Sequence, residues 1–313
     1  MKVAVLGAGA VGLTIAAKLS QVCDVHAVSR EKHVNAINKR GFILTGIWGE
    51  GSFGFSCSDG IPVGERYDYV IITSKSTDTR QICEQFRDVI ADTEVLSLQN
   101  GIGNEEIISE YTSRVIGGII ITGFEWRGDA MVDVSVEAGP VKIGRFPGGL
   151  DHNVSVLVDL FKEAGLNVSK TENIRGDIWG KTLYNCALNP LGAIMGVSYG
   201  ELVNPYAWHI IENVVHEVCL VAGSEGIRLQ WDSPDEYLTF LHDVQVPSTA
   251  LHHSSMYQDL KLGRRTEIDF INGAVVSIGL EYNILTPVNR TLCDLIRFRE
   301  SLPKMKESSP KIK

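Results

Sequence analysis

The segment Trp179-Gly-Lys181-Thr-Leu-Tyr-Asn185-Cys-Ala-Leu-Asn189-Pro190 gathers residues able to do chemistry. Lys181, Asn185 and Asn189 stand at i, i+4 and i+8, so a helix sets them along one face. One ammonium and two amides among Leu183, Cys186, Ala187 and Leu188 make an odd solvent face and a sensible polar lining for a cleft. An ammonium there can stabilise charge growing on an oxygen and then donate a proton. The alternative is a polar stripe on a surface helix. Pro190 is expected to kink or end the helix. A second cluster joins Ser254-Ser255-Met256 to Arg264-Arg265-Thr266-Glu267. Thr266-Glu-Ile-Asp269 has the form of a capping box, with Thr266 as N-cap and Asp269 at N3 of a helix running toward Gly279. Glu267 then sits in a first turn, where the dipole favours a carboxylate, as a structural acid or as part of a site. His252 and His253 have no acidic or cysteine partner at ligand spacing, so no metal is expected.

The N-terminus carries a second kind of signal. Gly7-Ala8-Gly9-Ala10-Val11-Gly12 matches GxGxxG directly after the apolar run Val3–Leu6 and before a helical pattern, which is the context a dinucleotide-binding turn requires. Gly7 permits the tight turn, Gly9 lets backbone approach a pyrophosphate, and Gly12 lets the helix pack close to the strand. Free N–H groups at the helix start favour the phosphates. The next strand ends in Val28-Ser29-Arg30 where a site for NAD would offer an acid. A hydroxyl followed by a guanidinium suits a 2′-phosphate, so NADP(H) is expected, although Glu31 adjoins them. Lys75, after the run Tyr69–Thr73, reads either as a contact to the adenosine-side phosphate or as an exposed loop lysine. Leu98-Gln-Asn100-Gly101 ends a further strand. Asn100 therefore lies at the carboxyl edge, as an ordinary turn residue or where nicotinamide and substrate meet.

The elements that must position these residues have two grammars. Short apolar runs Val3–Leu6, Val25–Val28, Tyr69–Thr73, Val95–Leu98 and Val115–Thr122 alternate with helical patterns such as Val11–Leu19 and Asp78–Ile90. That predicts an α/β Rossmann-type domain with a mostly parallel sheet over residues 1–170. Phe42–Leu44 with Phe53–Phe55 reads as an inserted hairpin, and Val132–Val136 with Val141–Ile143 as another, turning at Gly139-Pro140. From residue 171 to 301 the pattern is helical, with helices over Ile210–Glu225, from Pro234 to Leu241, and from Pro287 to near Arg299. The Lys-rich tail from Leu302 to Lys313 is expected to be disordered.

Composition narrows the function classes. The 313 residues are 44% hydrophobic and 21% charged, which fits globular domains and excludes a disordered chain. A net charge of -9 speaks against nucleic acid as a partner but not against a small anion, which responds to local charge. No apolar run is long enough to cross a membrane. Cys23, Cys57, Cys83, Cys186, Cys219 and Cys293 are widely spaced without a CxxC pair, so reduced thiols and a cytoplasmic protein are expected.

Taken together, Gly7–Gly12, the Lys75 strand end, Trp179–Pro190 and Ser254–Gly273 resemble the ketopantoate reductase (2-dehydropantoate 2-reductase) family over nearly the whole chain. The resemblance implies NADPH-dependent reduction of 2-dehydropantoate to (R)-pantoate on the route to pantothenate and coenzyme A. By motif, Lys181 is the proton donor and Asn100 touches both cofactor and substrate. Asn185 and Asn189 hold the substrate's hydroxyl end, and Ser255 its carboxylate. Glu267 positions substrate, Lys181 and cofactor and keeps the lysine charged, while Arg30 and Lys75 hold the cofactor's phosphate side. Two positions depart from the pattern. Tyr199 precedes Gly200-Glu201-Leu202 where family members often carry Asn, and Ile119–Gly123 occupies a segment where many carry His. The alternatives are an NADP-dependent reductase of another 2-oxo acid and a non-catalytic dinucleotide-binding regulator. A homodimer through the helical half stays open beside a monomer.

Overall fold

The structure, a computed structural model, describes residues 1–302, so the expected tail lies outside the described residues from position 303 onward. Its strands are β1 (Lys2–Leu6), β2 (Asp24–Val28), β3 (Phe42–Gly46), β4 (Gly51–Phe53), β5 (Ser56–Ser58), β6 (Tyr69–Ile72), β7 (Glu94–Ser97), β8 (Val115–Ile119), β9 (Thr122–Gly128), β10 (Met131–Glu137), β11 (Val141–Arg145) and β12 (Val168–Lys170). By contacts the chain forms two compact units. The first is Met1–Thr182 with Gly226–Gln230; the second is Leu183–Glu225 with the described residues from Trp231 onward. The division falls inside the helix Ile174–Met195, twelve residues past the boundary expected at 170.

In the first unit, eight strands run in the order β12-β11-β8-β7-β6-β1-β2-β5. Every pairing is parallel except β11 with β8. β6, β7 and β8 are buried along their whole length, which is why β6 and β8 read as continuous runs without polar alternation. From β1 the chain winds to β2 and β5 on one side, then to β6, β7 and β8 on the other. The strand order therefore reverses between β1 and β6, and the loops leaving their carboxyl ends flank the crevice where such sheets bind ligands.

A second sheet of order β4-β3-β10-β9 stands apart from the main one. The first expected hairpin is there, with Phe42 opposite Phe53. The second is not. β10 pairs with the strand before it, β9, while β11 joins the main sheet between β8 and β12. The apolar run Val115–Thr122 is likewise two strands, because Ile120 and Ile121 carry the chain from one sheet to the other. The pattern expected over Asp78–Ile90 breaks at Phe86 into helices Thr79–Gln85 and Arg87–Ile90.

The second unit is helical: Pro205–Ser224, Pro234–Phe240, Ser255–Lys261, Asn272–Glu281 and Pro287–Ser301, with the C-terminal part of Ile174–Met195. Pro190 does not end that helix, which continues to Met195. Proline deletes the N–H that would bond the carbonyl four residues back, here that of Cys186. Asn272 Nδ2 donates to that carbonyl at 3.2 Å and to Asn289 Oδ1 at 2.9 Å. The Glu217 carboxylate in turn accepts from Asn289 Nδ2 at 2.7 Å and from the backbone N–H groups of Val288 and Asn289, closing the start of the last helix. Asn272 and Asn289 are fully buried, so this polar chain substitutes for the missing helical bond without solvent.

The helix expected to start at Thr266 is also different. A 3₁₀ turn, Ile268–Phe270, comes first, and the helix begins at Asn272 after Ile271 leaves helical geometry. Thr266 Oγ1 accepts from Ile268 N rather than from Asp269, and Asp269 instead pairs with Arg265 and Arg297. Two guanidiniums outcompete one backbone N–H for the carboxylate.

Replacing Asn272 with alanine should strand the Cys186 carbonyl and the Asn289 amide together. Each buried polar group left unpaired costs about 1–3 kcal/mol, so urea unfolding should show a loss at the upper end of single-mutation effects. A loss under about 0.5 kcal/mol would mean the proline site is sustained some other way.

Candidate active site

The loop after β1 behaves as its glycines require. Gly7 has φ +64°, and a methyl there would stand 2.5 Å from Ser74 Cβ. A side chain at Gly12 would collide with Thr73 Oγ1, so the helix Ala10–Leu19 lies hard against the end of β6. Gly9 differs: it caps that helix, and a Cβ built on it meets nothing within 4 Å. The open space faces the helix N-terminus, which leaves room for an anion to meet free N–H groups. Ser29 is not available to a phosphate in the way its sequence position suggested. It is buried, and its hydroxyl donates to Ala8 O at 2.7 Å, tying the end of β2 to the glycine loop. Arg30 is exposed and caps the helix Glu31–Arg40, while Lys75 is half-buried at the start of the turn Ser76–Asp78.

Asn100 is held by a network that single-residue motifs do not announce. Ser76 Oγ and Asn104 Nδ2 both donate to its carbonyl, at 2.5 and 2.8 Å. Thr79 Oγ1 donates to Asn104 Oδ1 at 2.8 Å, and Gln99 Nε2 reaches Thr79 Oγ1 and Ser74. Ser74, Ser76, Thr79, Gln99 and Asn104 are all buried, so the loops after β6 and β7 form one rigid ledge. The half-buried Lys181 meets that ledge, its Nζ donating to Asn100 Oδ1 at 2.7 Å. The lysine's helix is anchored at its start. Asp177 accepts from Lys142 Nζ at 2.5 Å and from Thr171 Oγ1 at 2.6 Å, and Asn173 Oδ1 accepts from Gly176 N.

One acid near Lys181 went unread in the sequence. Glu105 begins a helix, Asn104–Ser109, and looks like an ordinary first-turn carboxylate, yet it is only 2% exposed. A methyl on Gly117 of β8 would stand 2.7 Å from Ile174 Cγ1, 3.3 Å from Ile178 Cδ1 and 3.7 Å from Glu105 Cγ. Ile174, Ile178 and Lys181 share a face at i, i+4 and i+7, so the acid and the lysine's own helix both close on Gly117. Burial, reinforced by the charge of Glu106, pushes the Glu105 carboxyl up to about 7, and the Lys181 ammonium pulls the other way.

In the second unit, Asn185 and Asn189 are both more than nine-tenths buried. Tyr199 donates its hydroxyl to Asn189 Oδ1 at 2.6 Å. The buried residue of the Ser254-Ser255 pair is Ser254, which accepts from Tyr257 N and donates to the Asn189 carbonyl. Ser255 is exposed at the first position of Ser255–Lys261. Glu267 is buried and caps the turn Ile268–Phe270. Among the described residues no group of three or more His, Cys, Asp or Glu is placed to hold a metal, and no helix is long and apolar enough to cross a membrane. All six cysteines are free thiols.

Two family models match the chain: "Ketopantoate reductase PanE/ApbA" over residues 3–148 and "Ketopantoate reductase PanE/ApbA C terminal" over 173–300. A 2-dehydropantoate 2-reductase of Pyrococcus horikoshii is 39% identical over 312 residues, covering 96% of this chain and 98% of its own. The crystal structure of a PanE/ApbA family ketopantoate reductase from Ralstonia eutropha superposes with TM-score 0.86 at 31% identity, covering 96% and 98% of the two chains. A D-mandelate dehydrogenase solved with NADH and anilino(oxo)acetate gives TM-score 0.88 at 29% identity over the same shares. The chain belongs to the ketopantoate reductase family.

Glu105 should leave a mark on stability. In the unfolded chain its carboxyl ionises near 4.5, against about 7 when folded. Between those values the folded protein holds a proton that the unfolded chain has released, so this group lowers stability as pH rises through the window. Glu105→Gln abolishes the titration. The variant should therefore gain on the wild type by on the order of a few kcal/mol between about pH 5 and about pH 8, read from urea midpoints. A difference that does not vary with pH would contradict the assignment.

Proposed function

We propose that the protein reduces 2-dehydropantoate to (R)-pantoate, with NADPH as the hydride donor and Lys181 as the acid. The observation that carries the reading is the 2.7 Å bond from Lys181 Nζ to Asn100 Oδ1 at the carboxyl edge of the parallel sheet. It places an ammonium, a group with N–H donors only, at the edge where ligands of such sheets bind. The dinucleotide fits the residues present, because the space over Gly9 lies at a helix N-terminus beside the strand-order reversal. Gly7, Ala8, Gly9, Ala10, Val11 and Gly12 would cradle its pyrophosphate, with Arg30 and Lys75 on the phosphate side and Asn100 and Glu267 toward the nicotinamide. When bound, it supplies a hydride to the keto carbon.

As negative charge grows on the keto oxygen, the Lys181 ammonium stabilises it and then gives it a proton. Asn100 orients the lysine through its side-chain oxygen while its own backbone is fixed by Ser76 and Asn104. Asn185 and Asn189 receive the far end of the substrate, the Ser255 hydroxyl its carboxylate, and Glu267 aligns the reactants. Reduction of a different 2-oxo acid is the second reading, and the likeness to a D-mandelate dehydrogenase is what favours it. NADPH over NADH rests on Arg30, which stands exposed at a helix start where a 2′-phosphate would gain both guanidinium and dipole.

Lys181→Ala should cut turnover of 2-dehydropantoate by about a hundredfold or more, as loss of a general acid does, while NADPH still quenches protein fluorescence with wild-type affinity. Near-normal turnover would remove the lysine from the chemistry. Arg30→Ala should raise KM for NADPH by about tenfold or more and leave KM for NADH nearly unchanged, as expected for a lost charge-assisted contact. Equal effects on both cofactors would refute recognition of the 2′-phosphate.

A further inference from the structure

Asn185 and Asn189 differ in what they can offer. Asn185 is 8% exposed, and among the described residues its amide makes no hydrogen bond. It can donate or accept. The amide of Asn189, 4% exposed, has its oxygen taken by the Tyr199 hydroxyl at 2.6 Å, and among the described residues its Nδ2 makes no bond. A free asparagine amide can flip between two nearly isosteric orientations. This one is held in a single orientation.

The residue that holds it is itself immobilised. Tyr199 is 3% exposed, and its ring meets Tyr184 edge-on with centroids 5.7 Å apart and His252 at 5.5 Å. Its backbone N–H donates to His252 O at 3.1 Å, and that of Gly200 to Ala250 O at 2.9 Å. Tyr184 is fixed in turn by Thr249, their hydroxyls 2.9 Å apart. Burial lifts the Tyr199 hydroxyl well above the usual phenol range, so it keeps its proton and remains a donor.

We propose that Tyr199 is a positioning and specificity-determining residue. By engaging Asn189 Oδ1 it fixes which end of the Asn189 amide is the donor, beside an unconstrained Asn185, and the pair selects 2-oxo acids that carry a hydroxyl remote from the keto group. Residues four apart on a helix are neighbours, with Cβ atoms about 5–6 Å apart, so one oxygen can engage both amides. A hydroxyl fits because it accepts from Asn189 and donates to the carbonyl of Asn185. A methyl at the same place leaves two buried amides unpaired, and a site built for hydrogen bonding rejects such an analogue strongly. An ammonium cannot accept from Asn189 at all. The inference rests on the reductase reading above and names what in this chain enforces its substrate class.

The test compares two substrates that differ in that hydroxyl alone, 2-dehydropantoate and 3,3-dimethyl-2-oxobutanoate. Tyr199→Phe keeps the ring and removes the donor. The ratio of kcat/KM for the hydroxylated to the deoxy substrate should fall by about tenfold, the scale of one hydrogen bond that fixes orientation. Disturbed packing would alter both values alike and leave the ratio unchanged, which overturns the proposal and spares the functional reading. If the wild type reduces neither compound, reading and proposal fall together. A cycle with Asn189→Ala completes the test. In that background Tyr199→Phe should no longer move the ratio, and a further drop would show that the tyrosine does not act through Asn189.

Discussion

The constraint on which the candidate chemistry depends is the continuity of one helix through a proline. Lys181, Asn185 and Asn189 hold their common line only while Ile174–Met195 remains helical. Pro190 removes a hydrogen bond at the turn that carries the last of the three. The protein restores it from outside the helix, through Asn272 and behind it Asn289 and Glu217. These residues lie far along the chain from the motif they sustain. Their burial makes each of these bonds costly to lose, because a freed partner meets no solvent.

Rigidity at the other end of the chemistry has a similar origin. The side chain of Asn100 is offered to Lys181, yet its placement is decided by its carbonyl, which Ser76 and Asn104 grip from two directions. Gln99 and Thr79 join those groups to the end of β6. The crevice of an open parallel sheet is formed by loops, which are ordinarily its most mobile parts. Here buried side-chain hydrogen bonds give two adjacent loops the stiffness of the strands they leave.

What could be read from sequence divides along a physical line. The glycine turn, the parallel sheet and the helical second half were legible because each depends on local pattern: a strand run into GxGxxG, apolar runs alternating with helices, a period near 3.6. The second hairpin was misplaced because strands separated by a short turn pair by default, and only the second sheet, formed around Phe42–Gly46, claims β10 for β9 instead. The capping box failed for a related reason. Its carboxylate had better partners in Arg265 and Arg297, the latter distant in sequence. Of the site residues, Lys181 and the two asparagines stood out by spacing. Glu105 did not, because a glutamate in a first turn is what an exposed helix start also wants, and its burial under Gly117 is a tertiary fact.

That buried acid bears on how an anionic protein handles anionic ligands. A net charge of -9 sets the long-range field, but reduction of a keto acid requires a local excess of positive charge. A fully ionised carboxylate beside Lys181 would cancel its ammonium and weaken attraction for both a phosphate-bearing cofactor and a carboxylate substrate. Burial largely avoids this by holding the Glu105 carboxyl near neutrality, where the proton is about equally on and off. Lys181 has a dipolar partner in Asn100, and burial keeps the nearby Glu105 from acting as a fully ionised one. In the proposed reaction, a carboxyl held back from full ionisation leaves more of the lysine's positive charge to meet the oxygen on which negative charge grows.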